Sequence, residues 1–228
     1  MTPKIGIFLT TAALLLAAVS ALALVTGNGI GPDEALKKLL DGNRSFVSNR
    51  LTLKDSSGPG TRQALAGGQH PYAVILSCSD SRVPPEIIFD KGLGEIFVVR
   101  VAGNIADPIV IGSIEYAVEH LGSSLIMVLG HSRCGAVTAA VDAEGHEHGN
   151  IGAIVETIAP AVQLAREKIK SADKSELVET AIDINIQLTA QSLMEKSPVI
   201  RSMVDSGKVK IVNAKYDLDD GTVKLLGK

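Results

Sequence analysis

The sequence predicts an α/β protein with a mainly parallel central β-sheet of four parallel strands plus an antiparallel edge strand. Helices flank this sheet, and an N-terminal helical arm precedes it. Short apolar segments alternate with longer amphipathic ones along the chain, as expected for strands connected by helices. Apolar residues make up 46% of the chain and aromatic residues only 3%, with no Trp. That composition suits a core of Ala, Val, Ile and Leu rather than an all-β sandwich.

The length and charge limit the domain organisation and the partners. The 228 residues are enough for one sizeable core, and we predict a single domain over residues 32–228. The formal net charge is −3. The chain therefore has no basic field that would attract nucleic acid.

Residues 1–23 are predicted to be a secretory signal peptide. Lys4 precedes an almost uninterrupted apolar run over residues 5–25, and small residues near Ala23 fit a cleavage site. The run is also long enough to span a bilayer, so an uncleaved membrane anchor is the alternative. A Gly-rich linker over residues 24–31 follows. We therefore expect a periplasmic or secreted protein, associated with a membrane only if the segment is retained.

The N-terminal arm is predicted as a helix that begins at Pro32, with two acidic residues in its first turn. Its apolar side chains fall at helical spacing and form one stripe: Leu36, Leu39, Leu40, Phe46 and Val47. The stripe packs either on the protein's own core or on a partner subunit. Residues 51–68 are polar and rich in Ser and Gly, which predicts a loop with one helical turn at 62–66.

The rest of the chain alternates between predicted strands and helices. The strands are expected at residues 72–76, 95–101, 124–129, 208–216 and 222–226, the last two joined as a hairpin by Asp219-Asp220-Gly221. The helices are expected at residues 84–89, 108–121, 134–141, 151–170, 174–195 and 197–206. Residues 142–150 are expected to form a polar loop.

Two polar turns follow the first and third predicted strands. They are Cys78-Ser79-Asp80-Ser81-Arg82 and His131-Ser132-Arg133-Cys134, and each contains one of the two cysteines of the chain. Functional groups gather at the carboxyl ends of strands in open α/β sheets. Two thiolates and one imidazole suit zinc, and three protein ligands leave the fourth position open, as in catalytic sites. The helix that starts at Cys134 is expected to lower the pKa of that thiol.

A disulfide is the alternative for Cys78 and Cys134, because paired cysteines are common in exported proteins. Such a redox protein would not need the ligand-type residues that surround each cysteine.

Asp80 and Arg82 allow three interpretations. Asp80 can fill the fourth position on the metal, or Arg82 can hold it in a bidentate pair. In the pair, Asp80 would orient a reacting water; released from the pair, it would block the site. The third interpretation is that both residues only cap the helix that opens near Pro84.

Four segments around these turns resemble β-class carbonic anhydrases, and the resemblance extends over residues 32–226. The segments are Cys78-Ser79-Asp80-Ser81-Arg82-Val83-Pro84, Gly94-Glu95-Ile96-Phe97-Val98-Val99-Arg100, Ile114-Glu115-Tyr116-Ala117-Val118 and Gly130-His131-Ser132-Arg133-Cys134-Gly135. The resemblance implies reversible hydration of CO2 to bicarbonate and a proton by attack of a zinc-bound hydroxide. Rival functions are hydrolysis of carbonyl sulfide or carbon disulfide on the same fold, and an inactive zinc-binding scaffold.

The resemblance also implies residue roles and an assembly. One Zn²⁺ per subunit would be bound by Cys78, His131 and Cys134. Asp80 and Arg82 would form the catalytic dyad. The substrate site would include the Gln69 amide, the aromatic rings of Phe97 and Tyr116, and Ala102. The expected assembly is a homodimer or a dimer of dimers, with active-site clefts at the subunit interface and the N-terminal helix packed on the partner.

In some β-class carbonic anhydrases, a Trp at the position that corresponds to Ile75 forms part of an inhibitory bicarbonate site. We therefore expect the open form of the site at neutral pH, with Asp80 paired to Arg82 and off the metal.

Overall fold

The structure is a computed structural model that describes residues 29–143, 149–170 and 172–227. The predicted signal peptide and most of the predicted linker lie outside the described residues, as do residues 144–148 of the predicted polar loop. Among the helices that are described, none combines the length and the apolar character needed to cross a membrane.

A five-stranded sheet in the order β2-β1-β3-β4-β5 forms the centre of the fold. The strands are β1 (Ala73–Ser77), β2 (Ile96–Arg100), β3 (Leu125–His131), β4 (Lys210–Tyr216) and β5 (Val223–Leu225). The first four strands are parallel, and β5 pairs antiparallel with β4 at the edge. The predicted fold class is therefore confirmed.

Eight α-helices and two short 3₁₀ turns connect the strands in the described part of the chain. The helices are α1 (Pro32–Val47), α2 (Pro59–Leu65), α3 (Pro85–Ile88), α4 (Pro108–Glu119), α5 (Gly135–Asp142), α6 (Asn150–Lys168), α7 (Lys174–Lys196) and α8 (Pro198–Asp205). The 3₁₀ turns span Leu53–Ser56 and Ala102–Asn104, and the sequence analysis predicted neither.

The helix starts follow local capping chemistry. Proline occupies the first turn of α1, α2, α4 and α8, where its missing N–H is not needed. The side chains of Asp107, Asp173 and Ser197 accept backbone N–H groups at the starts of α4, α7 and α8. These contacts define where the helices begin.

Both faces of the sheet are buried, because the side chains of β1 and β3 alternate between two apolar clusters. Val74 and Leu76 of β1 lie in the cluster formed with α4 to α8. Ala73 and Ile75 lie in the opposite cluster, which includes α1 and α3. Continuous apolar strands of this kind predict a parallel sheet covered on both sides, as observed.

The N-terminal helix α1 packs part of its apolar stripe on the protein's own core. Leu39 is fully buried and belongs to the same cluster as Ile75, and Leu36 and Phe46 pack against that cluster. These stripe residues therefore cover the protein's own sheet, and their burial needs no second subunit. Within the stripe, Val47 is 44% exposed.

Candidate metal centre

Cys78, His131 and Cys134 meet at the carboxyl edge of the sheet. Cys78 follows β1 directly, and His131 ends the neighbouring strand β3, with Ser77 opposite Leu129 in the pairing register. Cys134 returns to the same edge at the start of α5. One ligand atom from each of the three lies within 4.8 Å of the others, and all three residues are buried.

The local structure around the second turn differs in detail from the prediction. We expected the third strand to end at residue 129, but β3 continues to His131, which pairs with Tyr216 of β4. Cys134 is the N-cap of α5 rather than its first helical residue. The strand therefore extends by two residues because β4 supplies backbone partners that local sequence does not reveal.

A single hydrogen bond fixes the tautomer of His131. Its Nδ1 atom lies 3.0 Å from the carbonyl oxygen of Ser132. A carbonyl oxygen can only accept, so Nδ1 holds the proton and Nε2 presents a lone pair. Nε2 is buried and has no hydrogen-bond partner. An unpartnered imidazole nitrogen directed at two sulfur atoms is what a metal ligand requires.

The two sulfur atoms lie 4.0 Å apart, and both cysteines are free thiols. A disulfide bond is about 2.05 Å long, so the structure does not contain the predicted alternative disulfide. The hydrogen bond between the sulfurs lowers the pKa of Cys78 and raises the pKa of Cys134, because the two buried thiols share one proton.

The expected effect of the α5 N-terminus on Cys134 is present but is outweighed. Backbone N–H groups of Ala136 and Val137 lower the pKa of Cys134. The hydrogen bond to Cys78 and the burial of the thiol raise it by more. The predicted lowering by the helix N-terminus is therefore present, and the neighbouring Cys78 and burial set the net direction in the protein without metal.

The three side chains fit a zinc ion. Two sulfurs and one imidazole nitrogen form a borderline-soft ligand set, and three protein ligands are typical of zinc sites that keep one position open. The unpartnered Nε2 of His131 supports the same conclusion, since a buried polar atom normally has a partner.

The bidentate pair predicted between Asp80 and Arg82 is present beside this group. Arg82 donates from Nε to one carboxylate oxygen at 2.9 Å and from a terminal nitrogen to the other at 2.7 Å. The backbone N–H of Arg82 also donates to Asp80. These hydrogen bonds hold the pKa of Asp80 well below its usual range, so the carboxylate is ionised at neutral pH. Its Oδ2 atom lies 3.8 Å from Nε2 of His131.

The capping interpretation of Asp80 and Arg82 is wrong. The N-cap of α3 is Pro84, and no side chain makes a capping hydrogen bond there. The pair therefore stabilises the turn after β1 and not the start of α3.

The sequence did not predict two residues, Arg100 and Gly103, that donate hydrogen bonds to the turn after β1. Arg100, at the end of β2, donates to the carbonyl oxygens of Cys78 and Asp80. Gly103 donates its N–H to the sulfur of Cys78 at 3.3 Å. A charged residue at the end of an apolar strand was the available signal for Arg100. The local sequence does not predict the hydrogen bond from Gly103, because Gly103 reaches Cys78 only when β2 pairs with β1.

The four expected substrate residues do not come together within one chain. Ala102 lies next to Gly103, in the turn that contacts Cys78. Gln69 is exposed at the opposite, amino edge, where it lines a pocket of about 570 Å³ with Leu65 and Gly94. The five residues of β1 separate the two edges by about 16 Å at about 3.3 Å per residue.

The two aromatic residues lie toward the amino edge of the sheet, where Phe97 pairs with Val74 of β1. Phe97 is the second residue of β2, and its ring centroid is 6.4 Å from that of Tyr116. Tyr116 belongs to the last turn of α4 and is 49% exposed. The rings therefore form an accessible aromatic surface near the amino edge of the sheet.

Comparison with known proteins agrees with this geometry. A family model described as carbonic anhydrase matches residues 73–223. "Carbonic anhydrase 2" of Mycobacterium tuberculosis is 43% identical over 197 residues, which are 85% of this chain and 92% of that protein. A carbonic anhydrase of Mycolicibacterium smegmatis is 41% identical over 198 residues, covering 85% and 93% of the two chains.

Solved structures show the same fold. A β-carbonic anhydrase of Coccomyxa in complex with acetazolamide superposes with a TM-score of 0.70 and 25% identity, covering 85% of this chain and 86% of that one. A tetrameric β-carbonic anhydrase of Sordaria macrospora gives 0.69 and 27%, covering 86% and 98%. With the Cys78, His131 and Cys134 group at the same edge as the Asp80–Arg82 pair, these matches show that the chain belongs to the β-carbonic anhydrase family.

Proposed function

We propose that the protein is a zinc-dependent carbonic anhydrase that catalyses the reversible hydration of CO2 to bicarbonate and a proton. The observation that supports this most strongly is the position of the Asp80–Arg82 pair beside the Cys78, His131 and Cys134 group, in a member of this family. The three buried residues would hold one Zn²⁺ per subunit. Zinc would supply a Lewis acid that makes water a nucleophile near neutral pH.

Asp80 is the residue that would orient the reacting water. Its carboxylate is ionised, is fixed by two hydrogen bonds from Arg82 and lies 3.8 Å from His131 Nε2. An ionised, immobile carboxylate accepts a hydrogen bond from water and directs the oxygen lone pair toward the substrate. Because Arg82 occupies both oxygens, Asp80 would stay off the metal at neutral pH.

A second subunit would supply the rest of the substrate site. Gln69, Phe97 and Tyr116 lie near the amino edge, whereas Cys78 and Ala102 lie at the carboxyl edge. If the chain forms a dimer in which one amino edge meets the other carboxyl edge, the Gln69 amide can donate to a substrate oxygen and the aromatic rings can exclude water. A C2 dimer repeats this contact and completes two sites. Dimers can also pair into tetramers, as in the Sordaria macrospora protein.

The N-terminal segment supports a proposal about location. Residues 1–23 would direct export and be removed near Ala23, placing the enzyme in the periplasm or outside the cell. N-terminal sequencing of the exported protein tests this, since a retained Met1 would show that the segment is an anchor.

Zinc content and CO2 hydration together test the function. The mature chain should contain one zinc per subunit, and stopped-flow assays between about pH 7 and pH 9 should show hydration that a chelator abolishes and zinc restores. Zinc binding without hydration above the buffer rate would contradict the enzymatic function. Initial rates with carbonyl sulfide and carbon disulfide, measured in parallel, distinguish the two hydrolase alternatives.

A further inference from the structure

The turn Ala102–Asn104 is an unusual piece of backbone that touches the metal centre. Two consecutive residues, Gly103 at φ 71° and Asn104 at φ 45°, adopt the left-handed conformation, and Asn104 is 2% exposed. Left-handed backbone is costly for a residue other than glycine. A turn of this kind persists only where its surroundings hold it.

The turn is also closely enclosed. A Cβ atom at Gly103 would lie 2.6 Å from Cδ1 of Ile158 in α6 and 3.3 Å from Cβ of Ala136 in α5. The N–H of Gly103 donates to the sulfur of Cys78 at 3.3 Å. Packing from two helices therefore presses the turn against a metal-ligating sulfur, and the direction of one N–H depends on the conformation of Gly103.

One polar side chain holds this turn from the other side. Asn185 lies in the middle of α7, is 3% exposed, and donates from Nδ2 to the carbonyl oxygen of Gly103 at 2.8 Å. The next residue, Ile186, packs directly on Gly130, the residue before His131, so close that a Cβ there would lie 2.5 Å from its side chain. Helix α7 supplies no metal ligand, but it contacts the supports of two of them.

We propose that Asn185 is a positioning residue of the metal centre. It fixes the carbonyl of Gly103, which sets the backbone angles of that residue and aims its N–H at the Cys78 sulfur. An N–H donated to a thiolate stabilises the negative charge and orients the sulfur, as outer-shell hydrogen bonds do in other metal sites. This role depends on the metal centre of the proposed function.

A structural role alone is the competing explanation, because buried asparagines often only satisfy backbone groups. The two explanations differ at the sulfur. If Asn185 acts on Cys78, its loss changes the metal–sulfur bond; if it only joins α7 to the turn, its loss changes the stability of the fold.

The test compares three variants of the mature chain with the wild type. Asn185→Ala removes the donor without overpacking, and Asn185→Asp keeps the shape but directs an acceptor at the Gly103 carbonyl. Thr189→Val is the control, since Thr189 is a 5% exposed polar residue one turn along the same helix. Zinc affinity is measured by chelator competition, folding by urea denaturation, and the metal–sulfur bond by the thiolate-to-cobalt charge-transfer absorption of Co²⁺-substituted protein.

We expect both Asn185 variants to bind zinc about 10- to 100-fold more weakly than the wild type. Their cobalt charge-transfer band should shift to lower energy, because a sulfur that loses an N–H donor gives up charge more readily. Thr189→Val should keep both the wild-type zinc affinity and the wild-type cobalt band.

Several outcomes overturn the inference. It is wrong if the Asn185 variants lose only folding stability, if their zinc affinity and cobalt band match the wild type, or if neither folds with zinc present. If the wild type binds zinc but does not hydrate CO2, the proposed function fails while this comparison remains valid. If the wild type binds no metal, the proposed function and the inference both fail.

Discussion

Individual hydrogen bonds determine the chemical state of the side chains at the metal centre. The carbonyl of Ser132 accepts the Nδ1 proton of His131 and leaves Nε2 with a lone pair that can bind a metal. Arg82 occupies both oxygens of Asp80 and keeps that carboxylate ionised. His131 would therefore act as a metal ligand and Asp80 as a hydrogen-bond acceptor. Substitution of the first is expected to change metal affinity, and substitution of the second the reaction rate.

Replacing His131 should remove the metal. His131→Ala deletes one of three ligand atoms, and we expect zinc affinity to fall by more than about 100-fold, since losing only an outer-shell partner costs 10- to 100-fold. Zinc content after dialysis against a weak chelator measures this. His120→Ala is the matched control, because His120 is an exposed histidine at the end of α4 and should not affect zinc content.

Replacing Asp80 should instead leave the metal bound and slow the reaction. Asp80→Asn keeps the shape but removes the charge that orients water, so CO2 hydration should fall by about 100-fold or more at unchanged zinc content. Asp41→Asn provides the control, because Asp41 is also a paired carboxylate but lies on the exposed face of α1. Full activity of Asp80→Asn would show that the assigned role is incorrect.

At the scale of secondary-structure elements, a cluster of charged side chains joins α7 to β4 next to the turn between His131 and Cys134. Lys215 of β4 forms ion pairs with Glu179 at 2.7 Å and Asp183 at 2.8 Å, both in α7. Glu179 also accepts the backbone N–H of Arg133, a left-handed residue between His131 and Cys134. The cluster therefore links α7, β4 and the turn that contains His131 and Cys134.

This cluster predicts a dependence of stability on alkaline pH. Burial lowers the pKa of Lys215, but the two carboxylates outweigh it, so the folded-state pKa is raised. The ammonium therefore stabilises the fold fully below the unfolded pKa of about 10.4, and this contribution is lost as the pH rises through the raised folded value. Urea denaturation should show a steeper decline in the free energy of unfolding for the wild type than for Lys215→Met in that range.

Lys210→Met is the matched control for this measurement. Lys210 is on the same strand, but its ion pair with Asp33 is exposed to solvent, and such pairs contribute little to stability. The control should keep the wild-type pH profile. Identical profiles for Lys215→Met and Lys210→Met would mean that the α7–β4 cluster does not contribute.

At the scale of the whole molecule, the sheet separates two groups of residues that the family resemblance assigns to one site. Cys78 and Ala102 lie at the carboxyl edge, and Gln69 and Tyr116 lie near the amino edge. A rigid five-stranded sheet between them prevents a single chain from bringing them together. Assembly is therefore expected to be a condition for full activity.

A mixed dimer tests this expectation. Gln69→Ala and His131→Ala should each have low activity alone, but a mixed dimer contains one site with intact metal ligands from one chain and an intact Gln69 from the other. Co-expression should restore about a quarter of wild-type activity, because half of randomly formed dimers are mixed and each has one intact site. Activity equal to the mean of the separate variants would indicate that each chain forms its own site.

The alternation of apolar residues made most of the fold predictable. Four apolar runs that begin or end in turns predicted β1 to β4, and Asp219-Asp220-Gly221 predicted the hairpin to β5. The pattern did not predict that β3 continues to His131 or that Ala102–Asn104 forms a turn, because both depend on neighbouring strands and helices. It also left open where the α1 stripe packs, and the structure places Leu39 of this stripe in the protein's own core.

The sequence by itself predicted the three residues that the structure brings together, since Cys78, His131 and Cys134 lie at or just after the ends of apolar runs and are residue types that zinc prefers. It also determined the likeness to carbonic anhydrases. Only the tertiary structure decided that Asp80 pairs with Arg82 rather than capping α3, that α7 reaches the Cys78 sulfur through Gly103, and that Gln69 lies far from the metal centre. These contacts join residues distant in sequence or depend on which edge of the sheet a loop occupies, and local patterns contain no information about either.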